Sequence, residues 1–197
     1  MKWYGKTLKL KRGISINLVL TFRCNLRCSY CNQDFASGKR PIVKESDFND
    51  WKSFIDRWPY NEIRIKEFVL LGGECILYEP FVDIANYLLS KGFHVKVLTN
   101  LTNIEKFKQI TKSHRFRLSA TYHKEGNYLE RFQDNYYAIK KYHNIVAYEI
   151  GERSLPFTKL KTLQVCSEDQ CQWILCVDPK RRIWLGARDV SLNHDND

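Results

Sequence analysis

The sequence lacks any apolar run approaching the roughly 18 residues of a membrane-spanning helix, so a helical membrane protein is not expected. Its first residues, Met1-Lys2-Trp3-Tyr4-Gly5-Lys6, lack the apolar core of a secretory leader, which points to a cytoplasmic protein with no membrane partner. No internal repeat or low-complexity linker interrupts the 197 residues, of which 44% are hydrophobic. That length and composition suit one catalytic domain with an ordinary core. Acidic residues are scarce: 22 Asp and Glu face 32 Lys and Arg, for a net charge of +10. The basic residues gather at 6–12, 106–117 and 180–188 without a base-reading motif. Such a surface suits either a polyanionic partner, nucleic acid included, or plain solvation.

Cysteine, by contrast, is well supplied, with an odd count of seven. In a cytosolic chain, clustered thiols read as metal ligands rather than disulfides. Three of them fall in Cys24-Asn25-Leu26-Arg27-Cys28-Ser29-Tyr30-Cys31, directly after a strand-like run at 14–20 and a polar lead, Thr21-Phe22-Arg23. An iron-sulfur cubane normally takes four thiolates, so three close ones leave one iron open to another ligand. Zinc is the alternative, yet it generally needs four ligands and often pairs two CxxC knuckles. Here three cysteines stand with no nearby histidine. A second window, Phe68-Val69-Leu70-Leu71-Gly72-Gly73-Glu74, runs an apolar strand into two glycines and a carboxylate. The glycines let the backbone turn sharply and approach a ligand closely, and the carboxylate can accept a hydrogen bond from an ammonium.

A cysteine triplet after the first strand and Gly-Gly-Glu after the second, with a helix between, together resemble the signature of the radical S-adenosylmethionine (SAM) superfamily. The resemblance implies that Cys24, Cys28 and Cys31 hold a [4Fe-4S] cluster whose open iron is chelated by the amino and carboxylate groups of SAM. It assigns the methionine amino group to Gly72, Gly73 and Glu74. Because the glycine and cysteine loops are separate in sequence, Gly73→Val is expected to block SAM while sparing the cluster. The family usually has proline after the glutamate, where this chain has Cys75. Asn100, in Leu98-Thr99-Asn100, resembles the TN element that commonly ends the third strand beside SAM. Ser119 falls where many members have a serine near the SAM carboxylate or ribose. Tyr30, between the last two cysteines, is counted among these cofactor-binding residues.

Strands and helices alternate along the chain, which favours a parallel sheet with covering helices. Phe48, Trp51, Ile55 and Trp58 recur at helical spacing, with Ser46 or Asp47 as cap and Pro59 as stop. A strand over 63–71 leads to a helix from Phe81 that ends at Gly92. A strand over 94–98 leads to a third helix, for which Thr102 and Glu105 read as a capping box. A strand over 116–122, a helix marked by Leu129, Phe132, Tyr136 and Ile139, and a strand over 145–150 follow, with a sixth strand predicted at 161–165. The resemblance turns this α/β pattern into a partial (β/α)6 TIM-like barrel, trimmed at its C-terminal end. Residues 1–165 form the core, and 166–197 a short cysteine-containing hairpin extension.

In barrels of parallel strands the chemistry gathers at the C-terminal strand ends. Alternation sends Phe116, Leu118, Ala120 and Tyr122 toward the helices and Arg117, Ser119, Thr121 and His123 toward the lumen. The same logic places Asn17 and Glu149 inside. His123 is the catalytic candidate, able to touch substrate or pass a proton, with Lys112, His114, Arg115 and Arg117 drawing an acidic partner to the same rim. Farther on, Cys166, Cys171 and Cys176 accompany a hairpin predicted over 173–177 and 182–185. A cysteine ahead of such a hairpin is similar to the start of the SPASM or twitch extensions, which hold auxiliary clusters, although Gly186 replaces the second hairpin cysteine. An auxiliary iron-sulfur cluster, a zinc site completed by His194 or a carboxylate, and three buried thiols stay open.

The resemblance implies an enzyme in which an electron, from a flavodoxin- or ferredoxin-type donor, cleaves SAM to a 5'-deoxyadenosyl radical that abstracts hydrogen. A short barrel with a wide lateral opening favours a large partner, such as a peptide, protein or nucleic acid, over an enclosed small molecule, and the SPASM-like tail favours a peptide or protein substrate. Modification of a nucleoside or RNA, activation of a glycyl-radical enzyme, and a non-enzymatic iron-sulfur or zinc module are the other readings.

Overall fold

The computed structural model describes residues 14–31, 45–58, 60 and 64–149, together with the backbone of segments 2–3, 6–7, 174–177 and 183–186. The first two segments are β1 (Lys2–Trp3) and β2 (Lys6–Thr7), an antiparallel pair in a sheet of their own. Strand and helix then alternate as the hydrophobic pattern predicts: β3 (Ile14–Thr21), α1 (Phe48–Asp56), β4 (Ile65–Gly72), α2 (Phe81–Ser90) and β5 (Val95–Thr99). α3 (Glu105–Lys108), β6 (Phe116–Tyr122), α4 (Leu129–Lys140) and β7 (Asn144–Glu149) complete the series. β3 to β7 pair in parallel with their sequence neighbours. Parallel neighbours require crossover connections, and the helices supply them, giving the α/β partial barrel.

Local chemistry sets the helix boundaries. The Asp47 carboxylate accepts the amide of Asp50 at 2.8 Å, satisfying one of the amides that a helix start leaves unpaired. α2 closes on Gly92, whose φ of 83° is the left-handed turn that glycine tolerates. The amide of Phe93 then reaches back to the Leu88 carbonyl at 3.1 Å. The capping box expected at Thr102 and Glu105 does not form, and α3 is a single turn. Asn103 Oδ1 takes the Glu105 amide at 3.0 Å, while the Thr102 hydroxyl donates to Asn100 Oδ1 at 2.7 Å.

Ile16, Leu18, Phe68, Leu70, Val95, Val97, Phe116 and Leu118 form the helix side of the sheet and share one core with Trp51, Phe81, Leu88, Phe107 and Phe132. Truncating such a side chain to Ala costs about 2–5 kcal/mol. The opposite face carries Ser15, Asn17, Glu67, Lys96, Arg117, Ser119 and Thr121, as alternation predicts for β6 and for Asn17. Glu149 is a correction. Its register partner is Tyr122, a helix-side core residue, so Glu149 lies on the helix side, where it pairs with Lys124 Nζ at 2.7 Å. Ile145, Ala147 and Glu149 share one parity, which a strand of period two cannot split between faces.

The main sheet runs β7-β6-β5-β4-β3-β8-β9, where β8 (Ile174–Val177) and β9 (Ile183–Gly186) form the predicted antiparallel hairpin. What the sequence does not foretell is its place: β8 lies parallel to β3, with Cys176 beside Asn17. The segment expected as an extension therefore hydrogen-bonds to the first strand of the core sheet. The strand predicted at 161–165, the thiols of Cys166, Cys171 and Cys176, and His194 lie outside the described residues. The described part contains no helix long and apolar enough to cross a membrane.

Candidate active site

β3 and β4 leave the sheet side by side, and their pairing continues into the loops beyond. The Gly73 amide donates to the Thr21 carbonyl at 3.0 Å, and the Glu74 amide to the Arg23 carbonyl at 2.8 Å. This stitching explains the two glycines. A Cβ on Gly72 would stand 2.3 Å from Thr21 O, and one on Gly73 would stand 2.3 Å from Arg23 O and 2.9 Å from Cys24 Cβ. The expectation that Gly73 serves the ligand independently of the cysteines is thus corrected, because Gly-Gly-Glu is the wall against which the cysteine loop is built.

The loop is held from its other side by the turn after β6. Glu125 accepts the Ser29 amide at 2.5 Å and the Ser29 hydroxyl at 2.7 Å, and these bonds hold its carboxyl below the usual range. Gly126 lies against Leu26, whose Cδ2 would be 2.8 Å from an added Cβ. The Tyr30 and His123 rings stack with centroids 6.0 Å apart and an 11° interplanar angle, and Tyr30 Oη lies 3.1 Å from His123 Nδ1. Arg23 anchors the loop entry through Glu45, at 2.8 Å, and the Leu77 carbonyl. Glu125→Ala is expected to weaken iron retention by about tenfold, the lower end of what loss of an outer-shell partner costs, with Gln intermediate. Iron release under chelator challenge measures this, and an unchanged release rate would leave Glu125 a surface residue.

The end of β5 closes the third side. Glu74 is buried, its oxygens accepting the Thr99 hydroxyl at 2.8 Å and the Asn100 amide at 2.6 Å. Burial outweighs these bonds and raises its carboxyl pKa to about 7. Cys75, in the place of the family's proline, donates its buried thiol to the Leu98 carbonyl at 3.3 Å. The Asn100 side chain donates to Asn25 Oδ1 at 2.8 Å, and Asn127 Nδ2 donates to the Asn100 carbonyl at 3.0 Å. Leu101, fully buried, adopts a φ of 57°, a costly conformation for a branched side chain. The Thr99 hydroxyl holds it by accepting its amide at 3.0 Å, and Asn135 donates to its carbonyl at 2.8 Å.

These elements surround a cavity of about 400 Å³ lined by Cys24, Cys28, Tyr30 and Cys31 from the cysteine loop, by Gly72, Gly73 and Glu74, by Thr99 and Asn100, and by Thr121 and His123. Leu26, Leu71 and Leu98 supply its apolar wall. Ser119 is not part of this lining; it is buried two residues down the strand from Thr121. The expected basic rim is also misplaced. Lys112, His114 and Arg115 precede β6, whereas His123 follows its seven residues, so roughly 20 Å separates the two ends at strand rise. Asn25, Glu125 and Asn127 carry no signal in the sequence, while Thr99, the first residue of the TN pair, acts through Glu74 and Leu101.

Cys24, Cys28 and Cys31 are free thiols. Burial, with added repulsion from neighbouring thiolates and from Glu74 or Glu125, pushes the Cys24 and Cys28 thiols up; a cationic centre would offset both effects. Among the described residues no three His, Cys, Asp or Glu side chains come together tightly enough for a single metal ion. Zinc would need its thiolates at about 2.3 Å from one centre, whereas a cubane takes each thiolate on a different iron. Three free thiols on one loop are the donor chemistry of an iron-sulfur cluster.

Such a half-barrel, with a three-thiol loop and Gly-Gly-Glu at its strand ends, is the core of a SAM-dependent radical enzyme. The radical SAM superfamily profile matches residues 18–143, and the chain belongs to that superfamily, whose enzymes use a [4Fe-4S] cluster and SAM. It is 29% identical over 85 residues to the S-adenosylmethionine-dependent nucleotide dehydratase of Selenomonas ruminantium, covering 43% of this chain and 29% of that protein. A Methanocaldococcus jannaschii protein, named as a candidate activating enzyme for glycyl-radical enzymes, is 32% identical over 99 residues, covering 49% of this chain and 38% of its own. The two chains thus share about half of this one and little over a third of that one. The crystal structure of BtrN in complex with AdoMet and 2-DOIA has the same fold, with a TM-score of 0.61 and 14% identity over 88% of this chain and 73% of that one.

Proposed function

We propose that this chain cleaves SAM reductively and removes hydrogen from a peptide or protein substrate at the open mouth of the half-barrel. The observation that best supports this reading is the convergence of three free thiols, the Gly-Gly-Glu turn and the ends of β5 and β6 on one cavity. Cys24, Cys28 and Cys31 would hold the cluster, which when bound supplies the electron for SAM cleavage, taken in turn from a flavodoxin- or ferredoxin-type donor. Glu74 accepts the methionine ammonium, and Gly72 and Gly73 leave the adjoining backbone bare. Asn100 orients both the Glu74 carboxylate and the cysteine loop. Leu26, Leu71 and Leu98 keep water from the reacting centre. His123, whose pKa burial lowers, stays neutral near pH 7 and offers a proton acceptor beside Tyr30. Residues 166–197 would form an extension in which Cys166, Cys171 and Cys176 hold an auxiliary cluster or zinc.

The name of the M. jannaschii relative supports a protein substrate, while that of the S. ruminantium relative supports a nucleotide. Deuterated peptides and deuterated nucleosides, each incubated with reconstituted enzyme, SAM and reductant, separate these readings. Label entering 5'-deoxyadenosine from peptide is the expected result, and label from nucleoside alone would replace it with the second reading.

The Glu74 role has a pH signature. Burial favours the protonated acid, so below about pH 7 the carboxylate that accepts the ammonium is progressively lost. SAM affinity should hold at higher pH and fall by up to about tenfold per unit below that value. Calorimetric titration across this range reads the slope, which Glu74→Gln should flatten; an unchanged slope would take Glu74 out of the ammonium site.

A further inference from the structure

Below the cavity, the open face of the sheet is layered. Leu71, Leu98 and Ser119 lie at one level, in register with Val19 and Val146. Two residues deeper on each strand come Asn17, Val69, Lys96 and Arg117, again in register. Glu67 and Ser15 lie one step lower still, paired with each other. An apolar level therefore separates the reacting centre from a charged one, and four residues of strand, about 13 Å at 3.3 Å per residue, separate Arg117 from Thr121.

Among the described residues the charges at the deep level are unbalanced. Arg117 uses Nη2 on Glu67 Oε2, and Ser15 donates weakly to the other Glu67 oxygen at 3.4 Å. The Arg117 side chain is 54% exposed. Lys96 stands beside Arg117 in register and makes no hydrogen bond or ion pair among the described residues. Among the described residues, one carboxylate thus serves two cations on the open face of the sheet. Burial, seconded by Arg117, weakens the charged form of Lys96 against the pull of Glu67, a deficit that an incoming anion would relieve.

We propose that Lys96 and Arg117 bind an anionic group of the substrate, a carboxylate or a phosphate, and so set the distance from that group to the atom that reacts near Thr121 and His123. The apolar level of Leu71, Leu98 and Val146 would pack the stretch between. This inference deepens the proposed function, resting on its view that substrate enters the half-barrel. It can fail independently, because anion binding is measured without SAM or turnover.

The test titrates inorganic phosphate, and separately acetate, into reconstituted protein against chloride at matched ionic strength, following the melting midpoint, which a bound anion raises. Wild type is expected to be stabilised by phosphate or acetate beyond chloride, the stronger of the two identifying the anion class. Lys96→Met and Arg117→Met should each weaken that binding on the order of tenfold. Glu67→Gln should strengthen it, since the competing carboxylate is gone. Equal effects of all three anions on wild type would overturn the proposal without any variant having to fold. So would full binding in a folded Lys96→Met or Lys96→Gln protein, or a loss in Glu67→Gln as large as in Lys96→Met, either of which makes the cluster a structural network.

Discussion

Gly73→Val is expected to abolish cluster assembly together with SAM binding. The new Cβ would overlap the Arg23 carbonyl oxygen at 2.3 Å and press on Cys24 Cβ at 2.9 Å, and both neighbours are backbone or backbone-bound atoms with no rotamer into which to retreat. Relief requires the two strand ends to separate, which breaks the Gly73 to Thr21 and Glu74 to Arg23 hydrogen bonds and displaces the first cysteine. Overpacking of this kind commonly costs about 1–3 kcal/mol even where side chains can adjust. Iron content and calorimetric SAM affinity should fall together, by at least tenfold each. Gly126→Ala is the milder control, because its nearest obstacle is the end of the Leu26 side chain at 2.8 Å. Full iron content in Gly73→Val with SAM binding alone lost would mean that the two loops act independently after all.

Replacing Cys24, Cys28 and Cys31 together by Ala should remove the iron-sulfur absorbance entirely and take SAM cleavage below detection. Each substitution deletes one sulfur, and with Cys24 Sγ the weak acceptor of the Leu26 amide at 3.4 Å, from a loop also held by Arg23 at Glu45, Asn25 at Asn100, and Ser29 at Glu125. The circular dichroism of the triple variant should therefore match wild type, which separates loss of ligands from loss of fold. Formation of 5'-deoxyadenosine at the wild-type rate, after the same reconstitution, would sink the ligand assignment.

The periodic parts of the fold are legible in the sequence. Trp51 and Ile55, Phe81 to Leu88, and Phe116 to Tyr122 repeat at helix or strand spacing, and each becomes the element that spacing predicts. The cysteine triplet is legible by its spacing, and Gly-Gly-Glu because backbone contact leaves no room for a Cβ at Gly72 and Gly73. The clamps are not. Asn25 to Asn100 and Ser29 to Glu125 join residues far apart in the chain, and hydrogen bonds between loops leave no periodic trace. Strand direction is legible for the basic segment too: residues before a strand and residues after it stand at opposite ends of a barrel, so Lys112 to Arg115 cannot share a rim with His123. Alternation names strands without naming their neighbours, which is why β8 was foreseen and its seat beside β3 was not.

That seat bears on how the protein is made. β3 carries the cysteine loop, yet one of its edges waits for a strand from the far end of the chain, where Ser15 meets Ile174. Contacts so distant in sequence close late and slow the search for the native state. Until they close, a growing chain displays the Ile16–Leu18 edge as a ready template for a second copy. Low temperature and low expression rate should therefore raise the yield of soluble protein more than any change at the cavity does.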